Sequence, residues 1–158
     1  KIVPPREVYS SVEWPVIILL ASVIPLGAAL ESNGTTEIIV QILTKYASSM
    51  EPWLIIAIIM IITMTLSDIL NNTATTLVIA PISIQLAQTL NLNTDTFLMA
   101  VAVSASCAFL TPIGHKNNTI ILGPGGYRFG DYWRMGLVLE VLIIITSIPL
   151  LLIFWPIN

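Results

Sequence analysis

The chain has 158 residues, 56% hydrophobic and only 9% charged, with a net charge of −3 and a mean hydropathy of +0.90. Soluble domains carry about 25% charged residues, so the polar surface needed to coat a water-soluble globule is missing. That excludes a soluble enzyme, a disordered tail and an electrostatic nucleic-acid binder, and it predicts an integral membrane protein.

Length limits the spans to roughly seven at about 20 residues each, or four to five once connections are allowed. The single cysteine, Cys107, excludes an internal disulfide framework and lies in an apolar run as packing. The chain opens at Lys1, which suggests a piece of a longer protein. Glu7 and Glu13 spoil a basic leader, so a signal peptide is not expected at its start.

Residues 14–30 form the first uncharged run, bounded by Glu13 and Glu31 and opened by Trp14 at interface depth; a spanning helix over 14–31 is expected. Over residues 35–50, Ile38, Ile39, Ile42, Leu43 and Tyr46 recur at helical spacing between Glu37, Gln41 and Lys45. That pattern predicts an amphipathic helix lying in the interface.

Residues 52–90 are apolar on both sides of a polar knot, Asn71, Asn72, Thr73, Thr75 and Thr76. Two full spans with a tight turn, or a re-entrant hairpin with its tip inside the membrane, both fit this pattern. Residues 95–126 run from an apolar segment into Thr111-Pro112-Ile113-Gly114-His115-Lys116-Asn117-Asn118-Thr119 and resume as Ile120–Leu122, the pattern of a broken helix. The Gly-rich stretch at 123–130 lacks a nucleotide-loop ending and predicts a turn at the helix exit. Residues 133–155 form a last spanning helix, whose stretch from Met135 to Trp155 is apolar apart from Glu140 near its start. With the N-terminus inside, Lys1, Arg6, Arg128 and Arg134 fall on the inner side, Lys45 outside and Lys116 within the membrane, which agrees with the positive-inside rule.

Both knots contain Asn-Asn-Thr, at 71–73 and 117–119. Non-helical backbone in hydrocarbon must be buried in protein or line a wet cavity, because each unsatisfied group costs several kcal/mol. Half-helices starting near Ala74 and Thr119 would offer N–H groups to an anion, and those ending near Leu70 and Leu110 would offer carbonyls to a cation. Asp68 and Lys116 either pair with each other, or Lys116 and His115 serve the anion and Asp68 the cation. The Asn-x-Thr triplets at Asn33, Asn71 and Asn117 are formal sequons but not expected glycosylation sites, and no nucleophile–base pair marks an enzyme.

The strings Trp14-Pro15, Ile24-Pro25-Leu26-Gly27, Leu70-Asn71-Asn72-Thr73-Ala74-Thr75, Thr111-Pro112-Ile113-Gly114-His115 and Gly123-Pro124-Gly125-Gly126-Tyr127-Arg128-Phe129-Gly130-Asp131 resemble the divalent-anion:sodium symporters that carry sulfate, dicarboxylates and citrate. The likeness is to bacterial members with a cytosolic regulatory insert between two transmembrane halves, and it covers most of the second half. It implies an all-α integral membrane fold of about three spanning segments, one of them broken, plus a re-entrant hairpin over 52–90 and an interfacial helix. That would be one inverted repeat of two, in the cytoplasmic membrane with this segment's N-terminus cytoplasmic.

The resemblance further implies substrate contacts at Asn71, Asn72, Thr73, His115 and Asn118. It implies sodium ligands at Ser67, Leu70, Asn72 and Gly114, largely carbonyl oxygens. Asn71 stands where the family has serine, and Lys116 where it has a small residue or proline. The implied function is Na⁺-coupled symport of a small divalent anion, with no cofactor beyond the coupling ion and with partners in the lipid bilayer, the missing N-terminal half and a second copy as a homodimer. The competing readings are a non-transporting assembly subunit, an arsenite-type or H⁺-coupled carrier, and, more weakly, a channel.

Overall fold

The computed structural model describes residues 32–47 and 49–157, with eight separate positions between Trp14 and Ala29. The expected spanning helix over 14–31 otherwise lies outside the described residues. Among them the regular structure is all helical: α1 (Thr35–Ala47), α2 (Pro52–Ile69), α3 (Asn72–Thr89), α4 (Thr94–Ala105), α5 (Lys116–Leu122), a 3₁₀ turn (Phe129–Asp131) and α6 (Tyr132–Phe154).

Each boundary has a local cause. Pro52 opens α2 where a missing amide costs nothing. The Asn71 side chain caps α3 by accepting the Ala74 amide at 2.8 Å, and Asn93 caps α4 by accepting the Asp95 amide at 3.0 Å. The Gly-rich exit is a turn as expected, with the Gly125, Gly126 and Tyr127 amides folding back onto Ile121, Gly123 and Leu122.

One boundary differs from the sequence reading. The helix expected to run on towards Leu110 ends at Ala105, and residues 106–115 form the break. Pro112 lacks an amide, and its ring opposes a helical carbonyl at Ala108. The Ser106 and Cys107 amides tighten onto Val103 and Ser104, so the apolar stretch Cys107–Leu110 continues without helix.

α4 lies centrally, packing most extensively on α3 and α2, with α6 along its other side and α1 against α3. Phe97, Ile56, Met60, Met64, Leu86 and Val101 fill the core, and the buried Thr63, Ser67, Thr75, Ser83, Thr96 and Ser104 lie among them. Small hydroxylated residues let helix backbones approach closely where lipid tails compete for apolar contact. Of α1's apolar residues, Val40 and Ala47 are buried, whereas Ile38, Ile42 and Tyr46 point outward.

Among the described residues two helices are long and apolar enough to cross a membrane, Pro52–Ile69 and the segment Phe129–Phe154 that contains α6; the latter leaves most of its surface uncovered. α3 has 18 residues but is diluted by Asn72, three threonines near its start, Gln85 and Gln88. At 1.5 Å per residue α6 is about 35 Å long, matched by α4 at about 18 Å, the break, and α5 at about 10 Å. Hydrogen bonds pin both ends of that match. Thr96 donates to the Trp155 carbonyl and Asn93 to the Pro156 carbonyl, and at the opposite end the Tyr132 hydroxyl donates to the Asn118 carbonyl, each at 2.8 Å.

Gly136 lets α6 lie close against the break: a Cβ there would overlap the Phe109 carbonyl. Gly136→Ala should therefore lower the thermal stability of the full-length protein in detergent, by roughly 1–3 kcal/mol for overpacking. Gly130→Ala, which meets open space, should leave the melting temperature unchanged.

Candidate functional site

The two polar knots meet. Ser67, fully buried near the end of α2, donates to the Ala105 carbonyl at 2.7 Å and lies 3.0 Å from Asn72 Oδ1. One residue on, the Asp68 carboxylate accepts the Leu110 and Thr111 amides at 3.0 and 3.3 Å through Oδ1. Thr111 returns the contact: its hydroxyl donates to the Asp68 carbonyl at 2.8 Å and accepts the Gly114 amide at 3.2 Å. The backbone groups freed by the hairpin tip and by the helix break are thus handed to each other rather than to water.

Gly114 makes this contact sterically possible. A Cβ there would sit 2.6 Å from Ala108 Cβ, 2.9 Å from Asp68 Cα and 3.0 Å from the Ser67 carbonyl oxygen. The break is closed from its other end by Asn118, whose side-chain amide donates to the Ala108 and Thr111 carbonyls, both at 3.2 Å. Thr119 donates to the Pro112 carbonyl at 2.6 Å. His115 caps α5, with Nδ1 accepting the Asn117 amide at 3.2 Å; in the neutral ring this leaves the proton on Nε2.

Of the expected sodium ligands, Ser67, Asn72 and Gly114 are gathered at this junction. Leu70 closes α2, its amide donating to the Leu66 carbonyl. The Ala105 carbonyl joins them, an oxygen that carries no signal at the level of residue types. Among the expected substrate contacts, Asn72 and Thr73 sit half-buried in the first turn of α3, and Asn71 is an exposed cap. His115 and Asn118 are half-buried on the break side. A cleft of about 290 Å³ between α5 and α6 reaches Asn118, Tyr132 and Gly136 but none of the tip residues.

Of the two readings left open for Asp68 and Lys116, the mutual ion pair is not made in this structure. Lys116 is exposed at the start of α5, and the Asp68 carboxylate is taken by backbone amides. A carboxylate accepting two amides is already stabilised as an anion without a cation. Two residues that the sequence reading left outside the site belong to it. Thr111 bridges tip to break, and Glu140 of α6, 9% exposed, faces the Asp68 carboxyl and the Phe109 amide. Glu140 did carry a signal, since an acid within a spanning segment is functional by default.

Thr111→Val keeps the shape and removes both hydroxyl contacts, leaving the buried Asp68 carbonyl without its donor. Thermal unfolding should show a loss of about 1–3 kcal/mol, and Thr111→Ser should restore most of it.

A family model described as a citrate transporter matches residues 1–157. The chain is 37% identical to an uncharacterised transporter of Synechocystis over 98% of its own length and 25% of that protein's. It is 27% identical to a sodium-dependent dicarboxylate transporter of Staphylococcus saprophyticus, over 90% of this chain and 27% of the relative. Identity is 29% to a sodium-dependent low-affinity dicarboxylate transporter of Caenorhabditis elegans, over 85% and 23%. The chain thus spans about a quarter of the length of the curated relatives it matches.

Proposed function

The chain belongs to the citrate transporter family, and on that premise we propose that it is one part of a secondary carrier in which Na⁺ drives symport of a small divalent anion, such as sulfate or a dicarboxylate, across the cytoplasmic membrane. The observation that carries the reading is the interlock of tip and break through Ser67, Asp68, Thr111 and Gly114. A scaffold has no use for two helix interruptions inside one apolar bundle. A carrier does, because interrupted helices expose amides and carbonyls to ions at the level where substrate must be held.

In this mechanism Na⁺ sits at the Ser67–Asn72–Gly114 junction among hydroxyl, amide and carbonyl oxygens. Its charge draws those oxygens inward and orders the tip. The anion then meets the free amides at the start of α3, where the helix dipole favours negative charge, with Asn72, Thr73 and His115 donating to its oxygens. Without Na⁺ the tip is less ordered and the anion binds weakly, so the two are carried together.

The 52–90 segment works here as a re-entrant hairpin. Support comes from the depth of Asp68, near the tip, against α6: it lies by Glu140, the ninth residue of α6, about 12 Å along that helix from its start. The loop that follows the hairpin, by contrast, bonds to the other end of α6, the Asn93 amide donating to the Ile157 carbonyl. Alternating access then moves hairpin and break as one unit, with α1, packed on α3, linking that unit to the rest of the protein. A second, inverted half completes the substrate cage, and two copies form the dimer. Relatives whose names specify sodium-dependent dicarboxylate transport favour Na⁺ and this substrate class.

The test is uptake of labelled sulfate and succinate into proteoliposomes containing the full-length protein, with and without an inward Na⁺ gradient. Gradient-driven uptake of one anion is expected, and Asn72→Ala should reduce it about tenfold or more, the cost of losing about 1.4 kcal/mol of ion contact. Uptake that ignores the Na⁺ gradient, or survives Asn72→Ala intact, would overturn the assignment.

A further inference from the structure

α5 buries none of its seven residues, and Ile120 and Ile121 are 68% and 48% exposed. The Tyr132 hydroxyl ties it to α6 through the Asn118 carbonyl, and beside that bond runs the cleft of about 290 Å³. Phe109 of the break, Ile121 of α5, and Met135 and Leu139 of α6 give the cleft apolar walls. Met135 is 77% exposed, and Leu142 continues the same exposed face one turn beyond Leu139, so the cleft opens on a side of α6 that suits hydrocarbon. A helix is about 10 Å across with its side chains and cannot enter a space of this volume, whereas a single hydrocarbon chain can.

The mouth of the cleft has a different chemistry. Tyr127 and Asp131 line it at the 3₁₀ turn, and the exposed Arg128 stands between them in the chain. The Asp131 carboxylate is turned to the Arg128 backbone amide, which it accepts at 2.8 Å, and the Arg128 guanidinium makes no ion pair among the described residues. Tyr127, Phe129 and Trp133 beside it are all more than half exposed. An exposed arginine among exposed aromatic rings, at the end of an apolar helix, is the chemistry of the membrane–water boundary. There the rings sit at headgroup level, and a guanidinium takes phosphate through two parallel N–H bonds. Arg134 is exposed as well, but it lies two residues from both Tyr132 and Gly136, about 200° round α6 from each, on the face away from the cleft.

We propose that this cleft binds one anionic phospholipid. An acyl chain lies between α5 and α6 along Ile121, Met135 and Leu139, and Arg128 holds the phosphate at the mouth. Basic pockets between spanning helices take anionic headgroups from the cytoplasmic leaflet, and the two arginines set this end of α6 on that side by the positive-inside rule. The bound chain covers the apolar flank of α5 and braces that helix against α6. It thereby steadies Asn118, whose side chain closes the break through the Ala108 and Thr111 carbonyls. The inference goes beyond the transport reading, since it needs no particular ion or anion and gives the α5–α6 face a partner of its own.

Native mass spectrometry of the purified full-length protein tests it, with thermal unfolding alongside, using phosphatidylglycerol and phosphatidylcholine of the same acyl chains. Wild type should retain phosphatidylglycerol in preference to phosphatidylcholine, and the anionic lipid should raise its unfolding midpoint more. Arg128→Gln should cut that preference roughly fivefold, the weight of one arginine beside an anionic headgroup. Arg134→Gln, on the opposite face, should leave it unchanged. Met135→Trp, at a position exposed enough to accept the ring, should lose the retained lipid without lowering the midpoint in lipid-free detergent. Equal losses in the two arginine variants would mark general attraction to a charged surface and overturn the site. Equal retention of both lipids by wild type overturns it too, as does the same midpoint shift from soluble glycerol phosphate. If wild type retains no lipid and Met135→Trp is destabilised in every lipid, another part of the protein fills the cleft and the proposal falls. Loss of Na⁺-driven uptake with lipid retention intact would count against the transport reading alone.

Discussion

Backbone that leaves a helix inside an apolar bundle must find partners within the protein, and in this chain Asp68 is where that requirement is met. Its carboxylate takes the Leu110 and Thr111 amides, and its carbonyl receives the Thr111 hydroxyl. The hairpin tip and the helix break are therefore one structural unit. Breaking either half of the exchange leaves buried polar groups unpaired in both segments at once. Gly114 belongs to the same constraint, since the exchange requires backbones to approach within the space a single Cβ would fill.

The rest of the bundle holds that unit in place. α4 is buried between α2 and α3, with Phe97, Ala100, Val101 and Ser104 fully covered, so its C-terminal end delivers the break to the tip at a fixed height. α6 is tied to the N-terminal end of α4 through Thr96 and Asn93 and to α5 through Tyr132. Its outward face, with Leu137, Val138, Leu142, Ile145 and Ile153 exposed, suits a hydrocarbon surround.

Much of this was legible in the residues. Polar clusters within apolar runs stand out at any window length, so both knots, the turn after α5 and the helical type of every described segment followed from hydropathy and Gly/Pro placement. The end of α4 did not follow, because Cys107, Ala108, Phe109 and Leu110 are as apolar as the helix before them. Only hydrogen bonding separates the two stretches. The backbone partners of Asp68 were hidden for a related reason: matching opposite charges, as in the Asp68–Lys116 alternative, ignores backbone amides, and a helix break supplies them in numbers. Glu140 was visible as a charge in a span, but its partner lies far away in sequence and only packing brings the two together. The outward turn of Ile38, Ile42 and Tyr46 on α1 reverses the rule for soluble helices, where an apolar stripe faces the core.

That tip and break act together as a single ion-and-substrate site can be tested by accessibility. In a Cys107→Ala background, Thr73→Cys would report on the tip and His115→Cys on the break, each probed with a water-soluble maleimide in the full-length protein. Na⁺ together with the transported anion should slow labelling of both positions in parallel, with matching concentration dependence. Protection of one position alone, or of neither, would contradict a shared site and return the two knots to separate roles.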